Sequence, residues 1–280
     1  MDDAWPATAT SIALRQRADV YRCIREFFHS RHVLEIETPV LSEAGNSDPN
    51  IESFHVQFSG PAKAGNRTRW LRTSPEFALK RALASGLGDC YELGRVFRNG
   101  EFGRKHNPEF TMLEWYRVGW DHRQLIEECV ELVQQIFALQ EIGLQVVRLS
   151  YHDLFIRHIG LDPHSAGDDG LYAAVQAITQ INPDGLRRDD LLDLLLTHCI
   201  EPSFPERQIT VIYDFPASQC ALAKIRDGLT PVAERFELYL GGIELANGYH
   251  ELTDAVEQKR RFQDDAALRQ ARGLPSPALD

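Results

Sequence analysis

The sequence has 280 residues, of which 43% are hydrophobic, and its formal net charge is −11 at pH 7. A chain of this length and composition can bury one large core, so we expect a single domain, or one domain with an insertion. The acidic balance argues against a broad polyanion-binding surface, and we expect no stable binding of nucleic acid.

The cysteine pattern and the hydropathy of the chain indicate a cytoplasmic protein. The five cysteines lie far apart and form no C-x-x-C pair, which is typical of reduced, mostly buried thiols. No apolar run approaches the roughly 20 residues that a membrane-spanning helix needs. The first residues, MDDAWPATATS, lack the basic-then-apolar order of a signal peptide. We therefore expect no association with a membrane.

The first elements are predicted to be a helix and a short strand. Ala13–Phe28 reads as a helix because its apolar residues recur at helical spacing. Val33–Ile36 predicts a strand, which Thr38-Pro39 closes.

A second helix is predicted to begin at the tetrapeptide TSPE. Ser74 fits the N-cap, Pro75 the first helical position and Glu76 the first turn, with Phe77–Ala84 continuing the helix. Taken by itself, Glu76 has a complete structural explanation, because an acidic side chain in the first turn complements the helix dipole.

Two aromatic-rich runs, Tyr91–Phe97 and Phe110–Tyr116, predict strands that are joined by a polar loop. The loop, Arg98–Asn107, combines arginine, lysine and histidine with glycine and is suited to bind anions. Alternation places four side chains of the returning strand on one face: Phe110, Met112, Glu114 and Tyr116. An aromatic platform with an acid and a phenol beside a cationic loop suggests a site for a nucleotide and a second, polar substrate.

Three further regions follow. Arg123–Leu139 predicts an amphipathic helix. Ser150–Ile200 predicts helical segments that are interrupted by proline and glycine dipeptides. Ile209–Tyr213 predicts a strand because of its β-branched residues.

The second informative hairpin is centred on Gly241-Gly242, a tight turn between two alternating strands. With a two-residue turn, Glu237 stands opposite Ala246 and diagonal to Glu244 on the same face. Two neighbouring carboxylates repel each other unless a cation lies between them. The residues alone leave two interpretations open, a solvated acidic face or a cation site.

The string F-R-N-x-E followed by H-N-P-E-F-T-x-L-E-W-Y resembles motif 2 of class II aminoacyl-tRNA synthetases, in the lysyl branch. Its full form, HNPEFTMLEWYR, is similar to that of the elongation factor P β-lysine ligases, the short paralogues of the lysyl enzymes. The first helix with VLEIETP resembles motif 1, whose proline lies at a dimer interface, so a homodimer is implied. The implied fold is α+β, an antiparallel sheet flanked by helices over residues 1–280, with a variable helical insertion at about residues 150–205.

The resemblance implies an ATP site at the motif 2 loop. Arg98 is the implied catalytic residue, whose guanidinium fork would grip the α-phosphate and bridge it to the amino-acid carboxylate. Phe110 would stack on adenine, Asn107 would read the nucleotide edge and His106 would meet the outer phosphates. The other implied ATP contacts are Asn99, Gly100, Glu101, Glu244 and Leu245. A glycine interrupts the usual R-N-E here, which leaves open whether Glu101 takes the adenine contact of the family's glutamate.

For the amino acid, the resemblance implies two separate acidic contacts, as a substrate with two amines requires. The implied substrate contacts are Ser74, Pro75, Glu76, Tyr116, Asn247 and Glu251. Glu76 would hold one amine, and Glu251 would hold the other with Tyr116 as its hydrogen-bonding partner.

The resemblance also implies a magnesium site. Glu237 and Glu244 match the glutamates that coordinate the Mg²⁺ accompanying ATP, and hard oxygen ligands suit that ion. Strict alternation places Glu244 and Glu251 on opposite faces, so we expect a β-bulge near Asn247-Gly248.

The implied function is that of an ATP-dependent ligase that adenylates (R)-β-lysine, or lysine, and transfers it to a lysine side chain of elongation factor P, with ATP and Mg²⁺ as cofactors. Two alternatives stay open: a lysyl-tRNA synthetase-type fragment that charges tRNA, and an inactive remnant that binds ATP or an amino acid. Motif 1 begins near the start of the sequence with no anticodon-binding barrel before it, which favours the ligase. No match to motif 3 precedes Asp280, so we expect a truncated chain with weak or no activity.

Overall fold

The computed structural model describes residues 9–61, 67–178 and 181–275. The chain divides into two compact units, Met1–Val118 with Asp254–Asp280 and Gly119–Thr253, which are called here the first and the second unit. The expectations that rest on the first eight residues and on the end of the chain at Asp280 lie outside the described residues. The assignment of residues 1–280 to one domain stays a prediction.

The α+β class is confirmed. The described α-helices are Ser11–Ser30 (α1), Glu76–Ala84 (α2), His122–Ala138 (α3), Tyr151–His158 (α4), Asp168–Ile178 (α5), Arg188–Leu195 (α6) and Ala255–Ala271 (α7). The described strands are Leu34–Glu35 (β1), Leu41–Ser42 (β2), His55–Gln57 (β3), Thr68–Leu71 (β4), Cys90–Phe97 (β5), Glu109–Tyr116 (β6), Gln145–Ser150 (β7), Gln208–Pro216 (β8), Ile225–Arg226 (β9), Val232–Leu240 (β10) and Ile243–Tyr249 (β11). None of the helices in the described part of the chain has both the length and the hydrophobicity that a bilayer crossing requires.

The first unit contains two three-stranded sheets, in the orders β1-β5-β6 and β2-β4-β3. The predicted helix is confirmed as α1, and its N-cap is the side chain of Thr10, which accepts a hydrogen bond from the backbone N–H of Ala13 at 3.1 Å. The apolar face of α1 is buried, and Phe28 stacks on Tyr91 of β5 with ring centroids 4.5 Å apart. This packing joins α1 to the sheet that carries the cationic loop.

The β5–β6 hairpin of the first unit is regular and antiparallel along its whole length, from Cys90 opposite Tyr116 to Phe97 opposite Glu109. Its Gly94 faces a buried ion pair in which Arg72 Nη2 lies 2.6 Å from Glu92 Oε1. A Cβ atom at Gly94 would lie 2.5 Å from that Nη2 atom. The strand therefore needs glycine at this position, because any larger residue would collide with the buried pair.

The second unit is built on a five-stranded sheet in the order β11-β10-β8-β7, with β9 pairing to β10. Two strand pairs of the molecule, β1 with β5 and β7 with β8, are parallel, and the other described pairs are antiparallel. Helices α4, α5 and α6 cover the sheet, and the fully buried residues between them include Tyr151, Phe155, Leu171, Leu192 and Ile212. All five cysteines are free thiols and three of them are buried, as predicted.

Candidate active site

Arg98 lies directly after β5, where the first hairpin opens into its cationic loop. Its guanidinium stands over the ring of Phe110, 5.2 Å from the centroid, and 3.6 Å from a carboxylate oxygen of Glu101. Its Nε donates to the carbonyl oxygen of Thr73 at 3.4 Å. The structure thus brings three of the sequence-predicted ATP residues together with the segment that leads into α2.

The glycine that interrupts the usual R-N-E has a structural reason. Gly100 has φ = +81°, a left-handed conformation that other residues rarely adopt. The turn directs Glu101 back toward Arg98, while the backbone N–H of Asn99 donates to the carbonyl of Glu52 at 2.8 Å. Arg98 therefore has a carboxylate neighbour despite the inserted residue. Whether Glu101 contacts adenine stays a prediction.

The far part of the loop is exposed. The side chains of His106 and Asn107 are both accessible to solvent, and the carbonyl of His106 accepts a hydrogen bond from the backbone N–H of Gly103 at 3.0 Å. Asn107 and Phe110 also line a cavity of about 430 Å³ next to α1. Sequence reasoning assigned no role to this cavity.

The start of α2 differs by one residue from the prediction. Ser74 is not the N-cap; the N-cap is Pro75, because its carbonyl accepts the first helical hydrogen bond, from the backbone N–H of Leu79 at 2.9 Å. The hydroxyl of Ser74 instead accepts from the backbone N–H of Glu76 at 3.4 Å. Glu76 lies in the first turn as predicted, where its carboxylate accepts a hydrogen bond from Lys80 at 2.7 Å. Glu76 is thus a half-buried carboxylate at a helix N-terminus.

Tyr116 and Glu114 lie on the same face of β6. The phenol of Tyr116 donates to Glu114 Oε1 at 2.9 Å, and both side chains are half-buried. Alternation along β6 predicted that they share a face. Glu114 was not included among the implied substrate contacts, although its position in the strand pattern indicated it.

In the second unit, the Gly241-Gly242 turn is confirmed, because Leu240 pairs with Ile243. The predicted pairing of Glu237 with Ala246 is wrong. Glu237 faces Asn247, and Leu238 faces Ala246.

The cause is a β-bulge at Leu245. Tyr239 pairs with Glu244, but the next residue of β10, Leu238, pairs with Ala246, so that Leu245 has no cross-strand partner in the register. The expected bulge exists, but it lies at Leu245 and not at Asn247-Gly248. Because paired residues share a face of an antiparallel sheet, the bulge places Glu244 and Asn247 on one face with Glu237.

Gly248 has a different role from the predicted one. A Cβ atom at this position would lie 2.6 Å from Cε1 of Phe236, so glycine is needed for close packing against that ring. Glycine in a strand often marks either a bulge or a close approach, and here it marks the approach.

Glu237 is buried, and each of its two carboxylate oxygens accepts a hydrogen bond. Its Oε2 accepts from the phenol of Tyr239 at 2.6 Å, and its Oε1 accepts from the guanidinium of Arg235. Arg235 also donates to Oδ1 of Asn247 at 3.3 Å, so it joins the two sequence-predicted residues. Burial, followed by the charge of Glu237, raises the pKa of Tyr239 far above its usual range. Sequence reasoning missed Arg235, although it directly precedes the F-E pair in the matching string.

The remaining predicted residues of this unit are placed along β11 and just after it. Leu245, the bulge residue, is exposed, and so is Glu244. Glu251 is half-buried and pairs through its backbone with Ala223. No group of three or more His, Cys, Asp or Glu side chains within the described residues is arranged to hold a metal ion. Glu237 and Glu244 nevertheless offer on one face the hard oxygen atoms that Mg²⁺ prefers, and the ion would have to share the Glu237 carboxylate with Arg235 and Tyr239.

Comparisons with known proteins agree with these features. The model of the family described as tRNA synthetases class II (D, K and N) matches residues 6–272. A protein of Mannheimia succiniciproducens named elongation factor P--(R)-β-lysine ligase is 45% identical over 278 residues, which cover 99% of this chain and 85% of that protein. Proteins of the same name from Yersinia enterocolitica and Salmonella typhi are each 46% identical over 99% of this chain, covering 85% and 84% of their own lengths.

Proposed function

The chain belongs to the class II tRNA synthetases of the D, K and N group, and we propose that within this family it is a ligase that adenylates (R)-β-lysine and transfers it to a lysine side chain of elongation factor P. The observation that carries the proposal is the extent of the similarity, 43–46% identity over at least 99% of the chain to relatives with that name. Each unit also offers an acidic side chain suited to an amine, Glu76 in the first and Glu251 in the second.

In the first unit, we assign the nucleotide to the Arg98 loop. Arg98 binds the α-phosphate and holds the amino-acid carboxylate against it, because a guanidinium offers two parallel N–H donors in a fixed geometry. Phe110 stacks on adenine, a role that its position under Arg98 supports. The supporting nucleotide contacts are Asn99, Gly100, Glu101, His106 and Asn107.

The same unit binds one amine of the substrate. Glu76, together with Ser74 and Pro75, forms this contact, and it lies in the first turn of α2, where the helix dipole favours a negative group. Lys80 holds the carboxylate in place until an amine replaces it. Tyr116, whose phenol donates to Glu114 here, is assigned with Glu251 to the other amine.

The second unit binds the metal and the other amine. Glu237 and Glu244 would hold Mg²⁺, and Leu245 would contact the nucleotide through its backbone. When bound, the ion neutralises phosphate charge. Glu251 binds the distal amine with Asn247 nearby. The bulge at Leu245 supports this arrangement, since it gives Glu244, Asn247 and Glu237 a common face.

The reaction needs no covalent nucleophile from the protein. The substrate carboxylate attacks the α-phosphorus of ATP and pyrophosphate leaves, giving the aminoacyl adenylate. The amine of the acceptor lysine then attacks the acyl carbon and AMP leaves. The chain's own residues therefore orient the reacting groups and stabilise the charge that develops on the phosphate.

We also propose that the protein is a homodimer and acts in the cytoplasm. Large apolar side chains near the motif 1 segment are exposed, including Ile12 at 67%, Leu34 at 50% and Leu41 at 43%. Burial of exposed apolar side chains against a partner is favourable. Sedimentation equilibrium would give twice the chain mass of 31.8 kDa for a dimer and the chain mass itself for a monomer.

ATP–pyrophosphate exchange tests the activation step directly. With (R)-β-lysine and α-lysine offered separately, we expect exchange that is faster with (R)-β-lysine. Arg98→Ala serves as the control, because it removes the phosphate contact from a half-buried loop position. A wild-type chain that exchanges with neither amino acid would contradict the proposed activity and would support instead the weak or absent activity expected from the lack of a motif 3 match in the sequence.

A further inference from the structure

The segment that carries Glu251 begins where β11 leaves β10. The backbone N–H of His250 donates to the carbonyl of Glu234 in β10 at 2.8 Å. The carbonyl of His250 accepts instead from the N–H of Lys224, also at 2.8 Å, and the N–H of Leu252 donates to Leu222 at 3.0 Å. His250 is thus the residue at which the chain exchanges one backbone partner strand for another.

The side chain of His250 is bonded to the same partner as its backbone. Its Nδ1 lies 2.6 Å from Glu234 Oε2, and the other carboxylate oxygen of Glu234 accepts from Arg226 at 3.2 Å. Arg226 donates in turn to Asp214 Oδ2 at 2.8 Å. The side chains of Glu234 and Asp214 are each only 12% exposed. The exit point of β11 is therefore tied through two carboxylates to β9 and β8.

The far end of this chain of ion pairs is fixed at the start of α3. Asp214 Oδ1 lies 3.0 Å from Nε2 of the buried His122, and its Oδ2 accepts from Arg123 at 2.8 Å. Burial acts to raise the pKa of Asp214, but the hydrogen bonds from His122 and Arg226 and the charge of Arg123 outweigh it and lower the pKa to about 2. Burial likewise acts to raise the pKa of Glu234, and His250 and Arg226 lower it. Both acids are therefore ionised and held by cationic partners.

This network lies on the side of the sheet opposite to the predicted substrate contacts. The register of β10 with β8 shifts between Ala233 and Phe236, so contacts assign the faces of Glu234 and Arg235. Glu234 binds His250 and Arg226, whereas Arg235 binds Glu237 and lies over the ring of Phe215. The face of Arg235 is the face of Glu237 and Asn247. The next residue, Glu251, pairs with Ala223, which belongs to the same buried cluster as Tyr239, the partner of Glu237. Glu251 is therefore directed toward the face of Glu237.

We propose that His250 and Glu234 are positioning residues, whose bond fixes the direction of Glu251 and thereby sets the affinity for the distal amine of the amino-acid substrate. This inference rests on the proposed function, which assigns that amine to Glu251. Neither residue touches the substrate. They act by holding the backbone at the point where β11 changes partners, and a displacement of about 1 Å at a binding group can cost on the order of 100-fold in rate.

The test compares variants in ATP–pyrophosphate exchange. For His250→Ala and Glu234→Gln we expect the KM for (R)-β-lysine to rise about 10- to 100-fold, with the KM for ATP changed less than about twofold. His250→Asn keeps an N–H donor at the position of Nδ1, and we expect it to restore the KM to within about threefold of the wild-type value. His152→Ala is the matched control, because His152 pairs with Asp162 at 3.2 Å in the same unit, away from β11.

Amide hydrogen exchange gives a readout that does not depend on activity. In His250→Ala the N–H of Leu252 should exchange faster, whereas His250→Asn and His152→Ala should retain the wild-type rate. A wild-type chain without activity would contradict the proposed function, while the exchange rates at Leu252 would still support or overturn the positioning role. An unchanged KM for (R)-β-lysine in an active His250→Ala protein overturns the inference. Equal rises in both KM values with a lowered thermal midpoint also overturn it, since a general structural role would produce that result.

Discussion

The two hairpins of the molecule present their candidate functional groups in different ways. In β5–β6 the register is unbroken, and the cationic groups lie in the loop beyond the strands. In β10–β11 the turn is only Gly241-Gly242, and the candidate groups lie on the strands, where the bulge at Leu245 resets their faces. The long loop places its groups without disturbing its strands, whereas the hairpin with the two-residue turn places them through a change of register within the strands.

We expect the largest difference between the two hairpins when one residue is deleted from each. Removing Leu113 from β6 shifts one part of the strand by a residue, which moves every side chain of that part to the opposite face. We expect no folded protein. Removing Leu245 deletes only the residue without a cross-strand partner, so that all other pairs of the hairpin keep their register.

We therefore expect the Leu245 deletion to fold, and circular dichroism with thermal denaturation checks both variants. If both deletions unfold the protein, the bulge is needed for more than the placement of its neighbours. If the Leu245 variant folds, its KM for ATP reports whether this residue contributes to nucleotide binding.

Arg98→Ala tests the hairpin whose groups lie in the loop. We expect pyrophosphate exchange to fall about 1,000-fold or more, because one preorganised cation at the developing phosphate charge is removed. The thermal midpoint should hardly change, since Arg98 is only half-buried and its side chain bonds one carbonyl at 3.4 Å. Arg98→Lys keeps the charge but not the planar, two-donor geometry of the guanidinium. An activity between those of the wild type and Arg98→Ala would show that this geometry contributes to the rate. Full activity in Arg98→Lys would show that charge alone is sufficient.

Each hairpin contains one glycine whose replacement sharpens the comparison. Gly94→Ala places a methyl group against the buried Arg72–Glu92 pair, and we expect a loss near the upper limit of the range of about 1–3 kcal/mol that overpacking costs in the free energy of unfolding, because the ion pair is also displaced. Gly248→Ala places it against the ring of Phe236, where we expect about 1–3 kcal/mol. Urea denaturation gives both values. Gly100→Ala is the control for backbone strain, because Gly100 has φ = +81° and an added Cβ would meet nothing within 4 Å. A smaller effect for Gly94→Ala than for Gly248→Ala would contradict this order.

Asp214 tests how far the second hairpin depends on the ion pairs behind it. Its pKa is about 2 in the folded protein and 3.8 is the ordinary value, so its ionised form contributes about 2 kcal/mol of stability above pH 3.8. That contribution is lost as the pH falls from 3.8 through 2. Asp214→Asn should therefore lower the free energy of unfolding at pH 7, and the difference from wild type should shrink toward pH 2. A difference that is independent of pH would show that the carboxylate charge does not stabilise the fold.

The regular hairpin was easier to predict from the sequence than the hairpin with the bulge. The helix α1 and the β5–β6 pairing were predicted well, because helical spacing and strand alternation are local and unbroken there. The bulge was misplaced because Leu245 carries no bulge signal, whereas Gly248, which does, is used for packing against Phe236. The N-cap of α2 was misplaced by one residue, since Ser74 and Pro75 both suit a helix start.

The parts of the candidate site that sequence reasoning missed depend on contacts between distant segments. Arg235 bridges Glu237 and Asn247 only after the bulge has brought Asn247 opposite Glu237. The bond between His250 and Glu234 belongs to a network whose members come from α3, β8, β9 and β10. No local sequence pattern predicts such a network. The similarity to a known family indicated which residues to examine, but not what holds them in place.

The most direct test of the central claim is the mass of elongation factor P after incubation with this chain, ATP and (R)-β-lysine, with bulk tRNA offered in a parallel reaction. The account predicts that elongation factor P gains the mass of one β-lysyl group on one lysine, that the gain requires ATP, and that tRNA stays uncharged. Charged tRNA with unmodified elongation factor P would contradict it and would assign the chain to tRNA aminoacylation.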